Sequence, residues 1–245
     1  MRRIGSTLLA IIALGCLGPS NTLAPGHEGA PGVKRFLVCA PNTVIALPGE
    51  LQDVTGVLRE QVDAYLKFQS REVQWIDLYN SKRLWAEAMT AAKQKGTLEK
   101  TPEFFARRLD ELYDFDAIVM PSILLVKARA MDGDASWDGV SRYMQLVNAP
   151  PLPTGGSRDS FAEGVRAGGV RGDVPVTSVH VLVFSRTGER VFEGRGGFAF
   201  VYDADMSNSK KWSWKPVMRD LAADVDALRE AIAIAFDPYL PPPDE

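Results

Sequence analysis

Asp116-Ala117-Ile118-Val119-Met120-Pro121-Ser122-Ile123-Leu124-Leu125-Val126 is the stretch on which the fold turns. An unbroken apolar run directly after a helical pattern reads as a strand buried on both faces, at or near the centre of a sheet with further layers packed on it. Pro121 lacks an amide donor, so a bulge or a gap in the neighbouring strand is expected beside it. Upstream, Thr101-Pro102-Glu103 opens a helix carrying Phe104, Phe105, Leu109 and Leu112. Glu72 to Tyr79 reads as a strand, and Asn80 as the cap of a helix with Leu84, Trp85, Ala88 and Met89 that stops near Gly96. Further out, Pro48 starts a helix running to about Phe68, with Leu51, Val54, Val57, Leu58, Val62, Tyr65 and Leu66 on one stripe. Lys34 to Pro41 forms the first strand, and Cys39 in it is a small core side chain.

Downstream, Asp132-Gly133-Asp134 marks a turn, and Trp137 to Val147 returns as a partner strand. Residues 149–175, rich in Gly and Pro, read as a flexible insertion with no core of its own. Val176 to Phe184, the turn Thr187-Gly188, and Val191 to Tyr202 make a hairpin. The last helix is expected to start near Pro216, to carry Val217, Leu221, Val225, Leu228, Ile232 and Phe236, and to end at Pro238. This order predicts an α/β fold, one domain with a mixed β-sheet and helices packed upon it.

The chain has 245 residues, with 28 basic and 31 acidic side chains, two cysteines and two histidines. No large cationic field advertises nucleic acid, and a multi-disulfide scaffold or a four-cysteine zinc site is excluded. Met1-Arg2-Arg3 followed by the apolar run to Leu14 has the form of an export signal, too short to span a bilayer. The run ends in Ala13-Leu14-Gly15-Cys16, which is similar to the lipobox of bacterial lipoproteins with two positions in reversed order. Cys16 is therefore the expected lipidation site, and an ordinary secretory signal is the alternative. In that case a 16–39 disulfide is open. Leu17 rather than Asp after the cysteine favours the outer membrane, with the domain on its periplasmic face. Losing residues 1–15 removes two arginines and no acid, so the formal charge moves from -3 to -5 and a lipid has to do the anchoring. The expected layout is a signal peptide at 1–15, a Gly/Pro-rich tether at 16–32, an α/β domain at 33–240 and a Pro-rich tail at 241–245.

Several fragments imitate catalytic motifs. Gly194-x-Gly196-x-x-Ala199 spells a dinucleotide fingerprint, but strand leads to strand there, and a glycine bulge explains it better. Ser207-x-x-Lys210 falls in a polar loop, where nothing activates a serine. Asp132, Asp134 and Asp138 begin like a calcium loop and then lack its glycine and glutamate. His180 is mid-strand with no identifiable chemical partner, and His27 reads as a solvated tether residue. No catalytic residue, metal ligand or cofactor is expected. Arg158, Phe161, Arg166 and Arg171 in the insertion, and Trp212 and Trp214 beside Lys210 and Lys211, are the candidate interaction residues, of types that anchor interfaces.

Phe36-Leu37-Val38-Cys39-Ala40-Pro41, Phe115 to Ile123, and the hairpin Val181-Leu182-Val183-Phe184 with Gly188-Glu189-Arg190-Val191-Phe192 together resemble the N-terminal α/β domain of TolB and its lipoprotein relatives, among them LpoB and CsgG. The insertion at 149–175 departs from that compact layout. The resemblance implies a protein-interaction module, regulating an envelope enzyme or supporting a transport assembly, with the membrane and an envelope protein as partners and a homo-oligomer left open. The alternatives are a periplasmic hydrolase or transferase using scattered carboxylates, and a subunit of an outer-membrane secretion pore.

Overall fold

The long apolar run forms the spine of the sheet as β5, Ala117–Met131, in a computed structural model that describes residues 21–43, 54–147, 171–205, 213–217 and 220–242. On one side β2 (Arg35–Val38) lies parallel to it with Val38 opposite Val119, and β4 (Glu72–Trp75) lies parallel beyond β2. Pairing resumes at β3 (Asn42–Thr43), which meets Ser122 and Ile123. Pro121 falls in the gap between β2 and β3, where the missing amide leaves no partner unsatisfied. On the other side β9 (Gly172–Ser185) runs antiparallel along residues 117–130. β10 (Arg190–Phe200) and β1 (Thr22–Leu23) complete the order β1-β10-β9-β5-β2-β4. The fold is thus a single mixed α/β domain.

Alternation along β5 and β9 sends side chains to two faces. Val119, Ile123, Val179, Val181 and Val183 pack under α1 (Val54–Phe68) and α4 (Val225–Phe236) through Leu58, Val62, Leu228 and Phe236. Leu37, Ile118 and Phe184 pack under α2 (Leu78–Gln94) and α3 (Thr101–Asp110) through Leu84, Ala88, Phe105 and Leu109. Each of the fully buried Val, Leu, Ile and Phe side chains among these contributes about 1.5–3 kcal/mol. The far end of the second face is closed by the hairpin β6 (Asp134–Trp137) and β7 (Val140–Tyr143), whose Trp137 and Val140 cover Val174, Val176 and Phe200. A small second sheet joins β12 (Ser213–Pro216), β11 (Tyr202–Asp205) and β8 (Leu146–Val147).

The glycines of the fingerprint-like fragment have a packing role. A Cβ built on Gly194 would overlap the carbonyl oxygen of Ala235, and one on Gly196 that of Ala231. The helix α4 lies on the backbone of β10 through these two positions. They form a notch for a helix rather than a nucleotide loop, and the expected irregularity follows them, where the register with β9 shifts between Gly197 and Ala199.

The structure corrects four expectations. The segment 16–32 is not a free tether in its described half: β1 pairs with β10, the Ala30 amide donates to the Tyr239 carbonyl at 2.9 Å, and Ala30 is buried. The insertion 149–175 overlaps β9, because residues 172–175 already pair with β5 and Val174 is fully buried. The last helix begins at Val225 rather than near Pro216, since Ser213–Pro216 pairs as a strand and the cap is Asp224, whose side chain accepts the Ala227 amide at 3.1 Å. The cap of α2 is Asp77, which accepts the amide of Asn80 at 2.8 Å. Cys39 carries a free, buried thiol, and burial pushes its pKa up to about 12. Cys16, the signal run and the cleavage junction lie outside the described residues, as does the start of the helix expected from Pro48.

Candidate functional site

Between the two caps on the second face, the middle of the sheet carries a polar row drawn from three adjacent strands. Ser122 of β5, Ser178 and His180 of β9, and Glu193 of β10 share this face, as strand register requires: Ser122 is opposite His180, and Leu182 is opposite Glu193. Ser122 Oγ stands 3.3 Å from His180 Nδ1, and His180 Nε2 stands 3.2 Å from Glu193 Oε1. Arg190 donates to Glu193 Oε2 at 2.8 Å, and Arg195 lies 3.8 Å from Oε1. Ser178 donates to Asp138 Oδ2 at 2.6 Å, from the turn that joins β6 to β7.

Burial lowers the pKa of His180, with the hydrogen bond to Glu193 opposing it, so the imidazole is held neutral. An ionised carboxylate only accepts, which puts the ring proton on Nε2 and leaves Nδ1 to receive the Ser122 hydroxyl. The row is thus a hydroxyl, a base and an orienting carboxylate in series, the order found where a serine is activated. Ser122 sits in a strand interior, where backbone amides are spent on neighbouring strands, so an oxyanion there would have to be met by side chains. The sequence had shown His180 without a partner; the fold gives it two.

Next to this row the N-terminal segment is fastened. Asn21 Nδ2 donates to the carbonyls of Ile234 at 2.6 Å and Asp237 at 2.7 Å, and Asn21 Oδ1 accepts the Arg195 amide at 2.7 Å. One side chain thereby caps the C-terminal end of α4 and holds β1 to β10. At the N-terminal ends of β2 and β5, Arg35 bonds Asp114 and Asp116, the latter at 2.9 Å, and Asp116 also accepts the amides of Lys34 and Arg35. These bonds, led by that from the Arg35 guanidinium, lower the Asp116 carboxyl to about 2.

Of the candidate interaction residues, Arg171 pairs with Asp132 at 3.2 Å on the surface, and Trp214 is partly exposed on β12 opposite Ala204. The two are not brought into one patch with the His180 row. Arg158, Phe161, Arg166 and Trp212 lie outside the described residues. Among the described residues no group of three or more His, Cys, Asp or Glu side chains could hold a metal, and no helix is long and apolar enough to cross a membrane. Sequence reasoning missed Ser122, Glu193 and Asn21. The only available signal was that polar residues interrupt otherwise apolar strands.

No known protein-family pattern matches the chain, and no curated protein does. Among solved structures, the PelC dodecamer from Paraburkholderia phytofirmans is 10% identical, with 92% of this chain and 98% of that chain covered and a TM-score of 0.37. A single-substitution variant of that PelC is also 10% identical, over 91% and 98% of the chains, at a TM-score of 0.36.

Proposed function

We propose that this protein is a lipid-anchored interaction module of the bacterial envelope, held by an acylated Cys16 on the periplasmic face of the outer membrane and bound there to a protein partner. The resemblance to the TolB, LpoB and CsgG group motivates the reading. The observation that carries it is the Asn21 clamp, which fastens the chain to the domain only five residue steps after Cys16. A fully extended link of that length reaches at most about 18 Å, so a lipid on Cys16 would keep the domain at the bilayer surface. Leu78 and Tyr79 at the start of α2 are large, apolar and exposed, and they suit a protein contact. The test is Cys16→Ser: release from the membrane fraction and loss of lipid labelling are expected, and unchanged fractionation and mass would reject the anchor. Reversible crosslinking from envelope membranes then identifies the partner and its stoichiometry, which also reads any self-association.

A second reading is a hydrolase, favoured by the Ser122–His180–Glu193 row. It requires a serine-directed fluorophosphonate to label Ser122 and to fail on His180→Gln. Absence of labelling in the folded parent removes it.

A further inference from the structure

The strands at the edges of the two sheets are finished unequally. On the main sheet β1 covers part of β10, and beyond it the Arg195 amide donates to Asn21 Oδ1 at 2.7 Å and the Gly197 amide to the Asp138 carbonyl at 2.9 Å. The small sheet carries Lys215 and Pro216 on β12, a charge and a residue without an amide, both of which discourage further pairing. β4, outermost on the other side of the main sheet, has none of these. It reads Glu72-Val73-Gln74-Trp75, without proline, lysine or a register shift, and among the described residues it pairs with β2 alone. The Glu72 amide donates to the Lys34 carbonyl and the Ile76 amide to that of Val38, each at 2.9 Å. Alternation therefore spends the backbone of residues 72, 74 and 76 on β2 and turns the N–H and C=O of Val73 and Trp75 outward. Beside this edge the indole of Trp75 is fixed, with Nε1 donating to Asp63 at 2.9 Å and the Arg59 guanidinium 5.2 Å from the ring centre.

We propose that β4 pairs antiparallel with β4 of a second copy, across a two-fold axis at Gln74, joining two main sheets into one. The inference goes beyond the anchor at Cys16 and does not depend on it. The occupant follows from self-complementarity. With Gln74 facing itself, Val73 of each copy stands opposite Trp75 of the other, so every outward N–H meets an outward C=O and each such pair exchanges two hydrogen bonds. A two-fold at Val73 or Trp75 instead would pair only one outward position within the strand. The register at Gln74 also sets a β-branched side chain beside an aromatic one at both pairs, on the face where Val73 and Trp75 already pack against the core. On the opposite face Gln74 meets Gln74, an amide pair that donates and accepts at once, and Glu72 meets Ile76. Charge agrees with this: the register continued outward sets Arg71 of one copy opposite Asp77 of the other, and nowhere from 71 to 77 do like charges fall opposite each other.

The test uses the full chain, purified in mild detergent, and reads the two-fold at position 74. In the proposed ladder the Gln74 pair lies between hydrogen-bonded pairs, with Cα atoms about 4.5 Å apart, whereas each Glu72 is about 14 Å from its own copy. Under copper-phenanthroline oxidation Gln74→Cys should give a disulfide-linked dimer, and Glu72→Cys, on the same face of the strand, should match the parent. Cys39 is spared because its thiol is buried and held protonated. Sedimentation velocity should show the parent as a dimer whose dissociation constant rises about tenfold in Gln74→Lys and in Gln74→Glu, each of which sets like charges opposite, and a mixture of the two should regain the dimer. Gln74 is exposed, and circular dichroism melts matching the parent confirm that each variant is folded. A monomeric parent, linkage at Glu72 as well as at Gln74, linkage at neither, or an assembly insensitive to position 74 overturns the proposal, a strand of another protein seated on β4 being the meaning of the first result. Neither measurement needs a lipid on Cys16, so failure of the Cys16→Ser fractionation experiment is read separately.

Discussion

Glu193 holds the proton-bearing edge of His180 at 3.2 Å, from a strand that contributes nothing else to the imidazole except the nearby charge of Arg195. The carboxylate therefore fixes which nitrogen faces Ser122. In the folded state the ring has a pKa below its ordinary value of 6.5, with burial as the leading cause, while the unfolded chain titrates near 6.5. Between those two values the unfolded state binds more protons. Stability is thus full above about pH 6.5 and falls as the pH drops below it. Urea titrations at a series of pH values should show the parent losing ground to His180→Gln over this interval. A parent that gains on the variant as pH falls would contradict the neutral ring.

Asp116 is linked to pH with the same sign, but because the fold favours its charged form rather than penalising it. Its carboxyl is lowered from 3.8 to about 2 by Arg35, so its contribution is present above about pH 4 and is lost as the pH falls towards 2. It is partly exposed, and after allowance for solvent screening Asp116→Asn should cost on the order of 1 kcal/mol at pH 7. The stability difference between parent and variant should narrow as the pH approaches 2 and close only below it. A difference that persists there would assign the effect to shape rather than charge.

Gly196→Ala should be far more damaging than an added methyl group suggests, because its Cβ meets the Ala231 carbonyl, which is backbone and cannot rotate away. A loss of about 3 kcal/mol is expected, with α4 lifted from the sheet. Chemical denaturation with near-ultraviolet circular dichroism would detect it, and an unshifted midpoint would refute the notch.

Val174 distinguishes strand from loop in the 149–175 region. It is fully buried against the β6–β7 hairpin, so Val174→Asp should lower stability by several kcal/mol, a large share of a typical domain's roughly 5–15 kcal/mol. Replacement of the whole of 149–175 by a Gly-Ser linker should accordingly unfold the protein. Thermal melts of both variants indistinguishable from the parent would return these residues to the insertion.

The elements that were legible in the sequence are those whose signal is local. β5 announces itself by eleven consecutive residues from Asp116 to Val126, and Pro121 correctly marks the interrupted neighbour. The hairpin at Thr187-Gly188 is equally local. β1 was not legible, because Thr22 and Leu23 become a strand only through the edge that β10 offers. The start of α4 was hidden by Pro216, a residue equally at home at a sheet edge and in the first turn of a helix. Ser122 and His180 are 58 residues apart, and their meeting depends on the register of two long strands, which no spacing rule encodes. The glycines of β10 were visible as a pattern, but their reason lies in a helix more than thirty residues away.

Asn21 finds its carbonyl partners 213 and 216 residues later in the chain. In any emergence from N-terminus to C-terminus, whether from a ribosome or through a translocation channel, this side chain appears almost first and its partners almost last. Closure of the clamp therefore waits for the final helix: the Asn21 side chain can join β1, β10 and α4 only when that helix has arrived.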